Sequence, residues 1–370
     1  MHPAAKIGLK ALVEEFAPQL GFDLAGVVRI EAFPELQRFE RWIAEERAGE
    51  MKYLAGTNEQ GELKRAAVEN AAPWAKSAIV CGAIYNSAAP FSIDPADEHA
   101  GWISRYAWFQ NYDSERNADY HDVLLARLRK LEGEITLRWP EPVRTWSYVD
   151  TGPIIERVLA KYAGLGWIAK NTCVINEGVG SYFFLGVILT SIGLPAEHVN
   201  LPTADRCGSC TRCIEACPTQ AITAPYELDP RRCIAYLTIE KRGEMPAEFR
   251  RDVGRHVFGC DICQDVCPWN GGVTGARPPA SRLPEFTPRP DLVNPDLLEL
   301  AQLTPETFNE KFRRSPVKRT KYENFMRNVA VALGNTRGEW ARGPLERLAR
   351  HESEVVASHA RWALQQLRST

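Results

Sequence analysis

No apolar run in this chain reaches the roughly 18 residues that a membrane-spanning helix needs, and the longest, around Phe183 to Leu189, falls far short. A helical membrane protein is excluded. A signal-peptide core is also missing, because Met1 to Lys10 has no apolar centre. A cytoplasmic protein with no membrane partner is therefore expected. Excess charge of one sign is absent too: 45 Lys and Arg against 47 Asp and Glu leave a net charge of -2. That balance excludes a wholly basic binding protein and leaves any nucleic-acid contact to a local patch. What remains is a chain of 370 residues, 45% hydrophobic, long enough for two or three domains with cores of their own.

From Ile7 to about Pro202 the pattern alternates between helix and strand. Leu9, Leu12, Val13 and Phe16 recur at helical spacing, and Ile79-Val80-Cys81 is a short apolar run, so an α/β domain is expected. Val123, Leu124 and Leu128 predict one face of a helix over Tyr120 to Leu131. Thr145 to Val149 reads as a strand. A turn at Asp150 to Pro153 should lead into a helix over Ile154 to Tyr162, with Pro153 at its first position and Gly164 as its stop. Pro278, Pro279, Pro284, Pro288 and Pro290 predict an extended linker with a boundary near 290. Beyond it, the stretches starting at Met326 and Ala357 correspond at an offset of 31 residues, Ala332 matching Ala363 and Leu333 matching Leu364. Two small-residue helices at that spacing suggest stacked HEAT-type repeats; the alternative is two ordinary packed helices.

Eight of the ten cysteines lie between Cys207 and Cys267. A disulfide framework is the wrong reading for a large chain without a leader, because the cytosol keeps thiols reduced. Cys207, Cys210, Cys213 and Cys217 with Pro218 follow the C-x2-C-x2-C-x3-C-P run of bacterial ferredoxins, in which the fourth cysteine ligates a second cluster. Cys260, Cys263 and Cys267 with Pro268 repeat the final spacing but lack a first cysteine, a place that Cys233 can take. Cys207, Cys210, Cys213 and Cys267 would then hold one four-iron cluster, and Cys233, Cys260, Cys263 and Cys217 the other. Paired zinc sites are the competing reading, but they normally show two separated C-x2-C pairs. Cys81 and Cys173, outside the array, read as small buried hydrophobes. A pure electron carrier would not need about two hundred residues ahead of the array, so a reaction site elsewhere is expected.

The window Lys311 to Arg327 holds Lys311, Arg313, Arg314, Lys318, Arg319, Lys321 and Arg327 against Glu323 alone. Such a concentration can track phosphates or merely solvate a helix face. Two cofactor fingerprints fail: Asp119-Tyr120-His121-Asp122-Val123-Leu124 ends in leucine where one cobalamin motif needs glycine, and Gly164-Leu165-Gly166 lacks the third glycine of a dinucleotide loop. Asp150 reads from sequence alone as a polar residue near a helix start.

In combination, Tyr148-Val149-Asp150-Thr151-Gly152-Pro153-Ile154-Ile155-Glu156-Arg157, Ala163 to Asn171, Gly180 to Gly186, both cysteine sets, Arg314 to Arg319 and Arg327 to Asn335 resemble the tRNA epoxyqueuosine reductase family. The resemblance implies an α/β cobalamin domain similar to that of reductive dehalogenases over 1–202, a ferredoxin-like domain with two 4Fe-4S clusters over 203–290, and a HEAT-like tRNA-binding helical region over 291–370. It makes Asp150 the catalytic acid, with Tyr106, His121, Arg157, Lys170, Asn171 and Ser181 at the cofactor, Arg157 standing equally well for a substrate contact or a solvated helix face. It raises the phosphate reading of the basic window. The partners implied are tRNA carrying epoxyqueuosine and an external low-potential electron donor, with the protein acting as a monomer. Two departures stand out: an extra stretch through Asn111 to Asn117 interrupts the family's segment between Tyr106 and Tyr120, and Ala169 replaces a usual glycine. Two other functions fit the residues, a two-cluster electron carrier with an RNA-binding appendage and a cobalamin reductase of a small halogenated or epoxide substrate.

Overall fold

The computed structural model describes residues 8–111, 116–195, 200–271 and 278–367. They form two compact units, each drawn from three stretches of chain. Unit 1 takes Met1–Asn86, Tyr120–Cys210 and Pro268–Leu283; unit 2 takes Ser87–Asp119, Thr211–Cys267 and Pro284–Thr370. Residues 87–119 thus fold in unit 2, although the sequence places them in the N-terminal segment. Among the described residues no helix is long and apolar enough to cross a membrane.

Unit 1 is built from α1 (Leu9–Gln19), β1 (Leu24–Arg29), β2 (Ser77–Ile84), α2 (Tyr120–Arg138), β3 (Thr145–Tyr148), α3 (Glu156–Tyr162) and β4 (Phe183–Thr190). The sheet runs β1-β2-β4-β3 with every neighbour antiparallel. Its two central strands are near-continuous apolar runs because both faces are covered. On one face Ala78, Val80, Val187 and Leu189 pack with Val158 and Leu159 of α3. On the other, Gly186 admits α2 so closely that an added Cβ would lie 2.8 Å from Leu128. Leu124, Leu128, Leu131 and Ile135 form the buried stripe of α2. That helix continues past the predicted end at Leu131 to Arg138, the cost of about 1 kcal/mol for a glycine at 133 being offset by burying Ile135.

The start of α3 also differs from expectation. Ile155 is extended (φ -98°, ψ 91°) and the helix begins at Glu156, so Pro153 lies in the turn before it. Ile154 explains the delay: it is buried in the core with Tyr148 and Val158, and an extended Ile155 is what points it there. Gly164 does close the helix, at φ +76°.

In unit 2 the strand Trp102–Ile103 pairs in parallel with His256–Phe258. The extra stretch after Tyr106 is a hairpin, Phe109–Asn111 against Arg116–Asn117, whose tip lies outside the described residues. The proline-rich connector is not a free linker. Thr287–Pro288 pairs with Gln110 and Phe109, and Phe286 is buried with its ring 5.1 Å from that of Phe109. Pro288 is tolerated because the strand is a two-residue edge. The helices Tyr322–Thr336 and Glu354–Leu367 do form where the offset repeat places them. They meet through small residues, a Cβ on Gly334 falling 2.6 Å from that of Ala363.

Candidate active site and cluster cysteines

Asp150 follows β3 and has left-handed backbone, φ 54°, a conformation that an L-residue adopts at a cost of order 1–3 kcal/mol. It is no helix cap: α3 has Ile155 in that position and no side-chain cap bond. Its turn is shaped by Gly152, where a Cβ would lie 2.3 Å from the Tyr148 ring, and by Arg65, whose Nη2 donates to Gly152 O at 3.1 Å. The result is an Asp150 side chain 54% exposed. The Tyr120 hydroxyl donates to its Oδ2 at 3.0 Å, and His121 Nε2 lies 3.6 Å from the same oxygen. Tyr120 itself is fixed in a column of rings, 4.2 Å from Phe184 and 4.0 Å from His121. The His121 side chain is 27% exposed.

Glu156 lies six residues beyond Asp150 and is half-buried, with its Oε1 fully covered. Desolvation, reinforced by the charge of Asp150, pushes its carboxyl up to about 7, against the opposing charges of Arg157 and Arg65. Sequence reading quoted Glu156 without assigning it a role, and it passed over Arg65, which no motif marks.

The other expected cofactor residues are placed as follows. Tyr106 belongs to unit 2, half-buried with its ring 5.8 Å from Phe258. In unit 1, Arg157 is exposed and donates from Nη1 to Thr172 O at 2.7 Å. Asn171 accepts the Cys173 N–H at 3.2 Å. Ser181 is clamped by Asn270, which accepts the Ser181 N–H and donates to its hydroxyl, both at 2.8 Å. Lys170 departs most from expectation. Its buried ammonium donates to Gly208 O at 2.6 Å and Cys210 O at 2.9 Å, because a buried charge takes the nearest carbonyls. Lys170 therefore braces the first cysteine loop; burial pushes the Cys207 thiol up, and the Lys170 backbone N–H opposes that shift only in part. Ala169 keeps its φ outside the left-handed region, so the missing glycine costs nothing there.

The cysteines divide between the units, Cys207 and Cys210 in the first and the other six in the second. Within unit 2, burial and the neighbouring Cys233 and Cys217 push the Cys260 thiol up. Cys217, Cys233 and Cys260 thus bring separate stretches of chain into one neighbourhood of unit 2. A buried thiol beside two others suits a cationic cluster, which would offset the cost of ionising it there. Cys81 is fully buried in β2, as expected, whereas Cys173 is only half-buried.

The basic window is not uniform. Arg313, Arg314, Lys318, Arg319 and Lys321 are exposed. Lys311 is paired with Asp291, and Arg319 lies 2.8 Å from Glu240. Arg327 does not belong with them: it is 0% exposed, and its guanidinium donates to Leu237 O, Lys241 O and Gly243 O at 2.6–3.0 Å. Its helix face points into unit 2, which a charge count along the chain does not reveal.

A two-cluster cysteine array and an exposed, hydrogen-bonded carboxyl on one chain define an iron–sulfur oxidoreductase. The comparisons agree. A 4Fe-4S double cluster binding domain matches residues 206–270, deciding against zinc, and the epoxyqueuosine reductase QueG model (DUF1730) matches residues 65–151. The epoxyqueuosine reductase of Xanthomonas campestris pv. campestris is 37% identical over 96% of this chain and 95% of its own. A solved epoxyqueuosine reductase with a tRNA-Tyr epoxyqueuosine-modified stem loop superposes at a TM-score of 0.79 with 32% identity, covering 96% of this chain and 89% of that one. The Bacillus subtilis enzyme, solved with its catalytic aspartate loop swung out of the active site, gives 0.79 and 31% over the same shares. This chain belongs to the epoxyqueuosine reductase family.

Proposed function

We propose that this chain reduces epoxyqueuosine to queuosine in the anticodon loop of tRNA, taking electrons from an external low-potential donor through its two 4Fe-4S clusters. The observation that carries the reading is Asp150, held out on a left-handed turn with Tyr120 and His121 against one oxygen. Opening an epoxide needs a proton at the departing oxygen, and a carboxylic acid can supply it. The Asp150 side chain is 54% exposed, so the bound substrate must cover it, raising the affinity of Asp150 for its proton when the epoxide arrives.

Cobalamin is proposed as the second cofactor on the strength of the family resemblance. The partly exposed His121 ring, stacked on Tyr120, is a flat polar face suited to a large planar group, whereas Lys170, Asn171 and Ser181 hold the protein's own frame. When bound, the corrin would supply a reduced cobalt nucleophile. The chain's part is to orient the epoxide oxygen toward Asp150, to hold Asp150 with Tyr120 and His121, and to exclude water once RNA covers the turn. Arg313, Arg314, Lys318, Arg319 and Lys321 are proposed to follow the tRNA backbone. A cobalamin region (1–202), a cluster region (203–290) and a HEAT-like region (291–370), as functional stretches of sequence that interleave in the two folded units, complete the reading together with the monomeric state and the cytoplasmic location.

The test is Asp150→Asn in protein loaded with clusters and cobalamin. It should bind tRNA normally and lose turnover by about two to four orders of magnitude. Near-normal conversion of an epoxyqueuosine stem loop would refute the role of Asp150. A wild-type protein that fails to retain cobalamin through gel filtration would favour the electron-carrier reading, and turnover of a small epoxide without tRNA would favour the third.

A further inference from the structure

Removing an epoxide oxygen consumes two electrons and two protons. One carbon–oxygen bond breaks as the oxygen takes the first proton. The second breaks as the resulting hydroxyl takes another and leaves as water, and the two electrons from the external donor end in the carbon–carbon double bond. Asp150 can give only one proton per loading, and the RNA that covers it also separates it from solvent. We propose that Glu156 holds the second proton and passes it to Asp150 between the two bond-breaking steps. The inference rests on the function proposed above.

The geometry behind it is the turn from Asp150 to Glu156. The turn is wrapped over the Tyr148 ring at Gly152, and Arg65 grips it from Nη2 to Gly152 O at 3.1 Å while its Nη1 holds Tyr53 O at 2.8 Å. Beneath it, Glu156 Oε1 and the Tyr148 hydroxyl are both buried without a hydrogen-bond partner. An unsatisfied buried oxygen is costly, and a carboxyl lowers that cost by keeping its proton. The charged groups facing Glu156 are Asp150, Arg157 and Arg65, and Tyr148 completes the surround. Ionised Asp150 strengthens the hold of Glu156 on its own proton. In the uncovered protein Glu156 therefore keeps a proton up to about neutral pH. When RNA desolvates Asp150, the balance tips toward Asp150, which is the direction the second step needs.

A first-turn carboxylate could also serve only the dipole of α3, so the test must separate the two roles. Infrared difference titration of the loaded protein should show a protonated carboxyl band that fades with a midpoint near 7. The band should vanish in Glu156→Gln, and its midpoint should move down in Asp150→Asn. In single-turnover reduction of an epoxyqueuosine stem loop, Glu156→Gln should be slower by roughly tenfold to a hundredfold, within the lower reach of acid–base effects. Wild type should slow above about pH 7, Glu156→Gln should lose that fall, and Glu156→Asp should regain part of the rate. A band indifferent to Glu156→Gln, a midpoint unmoved by Asp150→Asn, or an unchanged pH–rate profile would each overturn the relay while leaving the proposed reaction standing. Failure of wild-type protein to reduce the stem loop would instead overturn the reaction, and the relay with it, whatever the infrared result.

Discussion

Replacing Arg327 separates a structural arginine from a phosphate contact. Its guanidinium makes three bonds to main-chain carbonyls, Nη1 to Lys241 O at 3.0 Å and Gly243 O at 2.7 Å, and Nη2 to Leu237 O at 2.6 Å. Two more go to Asn328 Oδ1 at 2.8 and 3.1 Å. Asn328 in turn donates to Thr238 O and Val257 O. Arg327→Met keeps most of the apolar stem and removes every donor. Three carbonyls then lose a charged partner, each worth about 1–3 kcal/mol if left unsatisfied. These costs are not additive, and breaking a buried charged network typically costs about 3–5 kcal/mol in all. Urea denaturation followed by circular dichroism should show an early loss of helical signal, while the slope of log K against log salt for a tRNA stem loop stays as in wild type. The double variant Lys318→Ala, Arg319→Ala should do the reverse. Its stability should change by less than about 1 kcal/mol, since the Arg319–Glu240 pair is open to solvent at Arg319 and worth little, and its salt slope should fall by about 0.7–0.9 for each lost phosphate contact. A flattened slope with unchanged stability in Arg327→Met would refute the assignment of that side chain.

Cys233→Ala should leave anaerobically reconstituted protein with about half its iron, and iron equal to wild type would return Cys233 to a spare thiol. Gly152→Ala drives a Cβ toward the Tyr148 ring and should cut turnover at least tenfold while both clusters remain, as read by visible absorption beside activity; full activity would show that the turn tolerates the shift. His359 is held neutral, its Nε2 accepting the Met245 N–H at 3.1 Å, and burial pushes it down to about 4. With the folded value below the unfolded one, its contribution is complete above about pH 6.5 and is lost as pH falls toward 4. The stability gap between wild type and His359→Gln in urea should therefore shrink from pH 7 to pH 4.5, and a constant gap would sink the argument.

Much of this molecule could be read from residue patterns. Leu9, Leu12 and Val13 do bury one side of α1, and Ile79-Val80-Cys81 is the middle of a fully covered strand. The cysteine spacings marked the clusters outright, because a cubane fixes where its thiolates must stand along the chain. What escaped depends on contacts distant in sequence. Pro288 looked like linker because its strand partner, Phe109, is far away in the chain. Arg327 looked like surface because the carbonyls that hold it lie more than eighty residues earlier. Asp150 was legible only by resemblance, since its backbone angle and its two neighbours belong to the folded turn.

The three-piece construction of each unit has a consequence for biosynthesis. Unit 1 is incomplete until Pro268–Leu283 leaves the ribosome, since Asn270 clamps Ser181 and Trp269 meets the Trp167 ring at 5.2 Å. By then every cluster cysteine has been made, so neither unit can finish folding vectorially ahead of the metal ligands. Cutting the chain at residue 202 or 290 to obtain a free-standing catalytic or cluster fragment would strand partners in both pieces. Expression of this protein in parts should yield aggregates, and iron delivery must coincide with late, whole-chain folding.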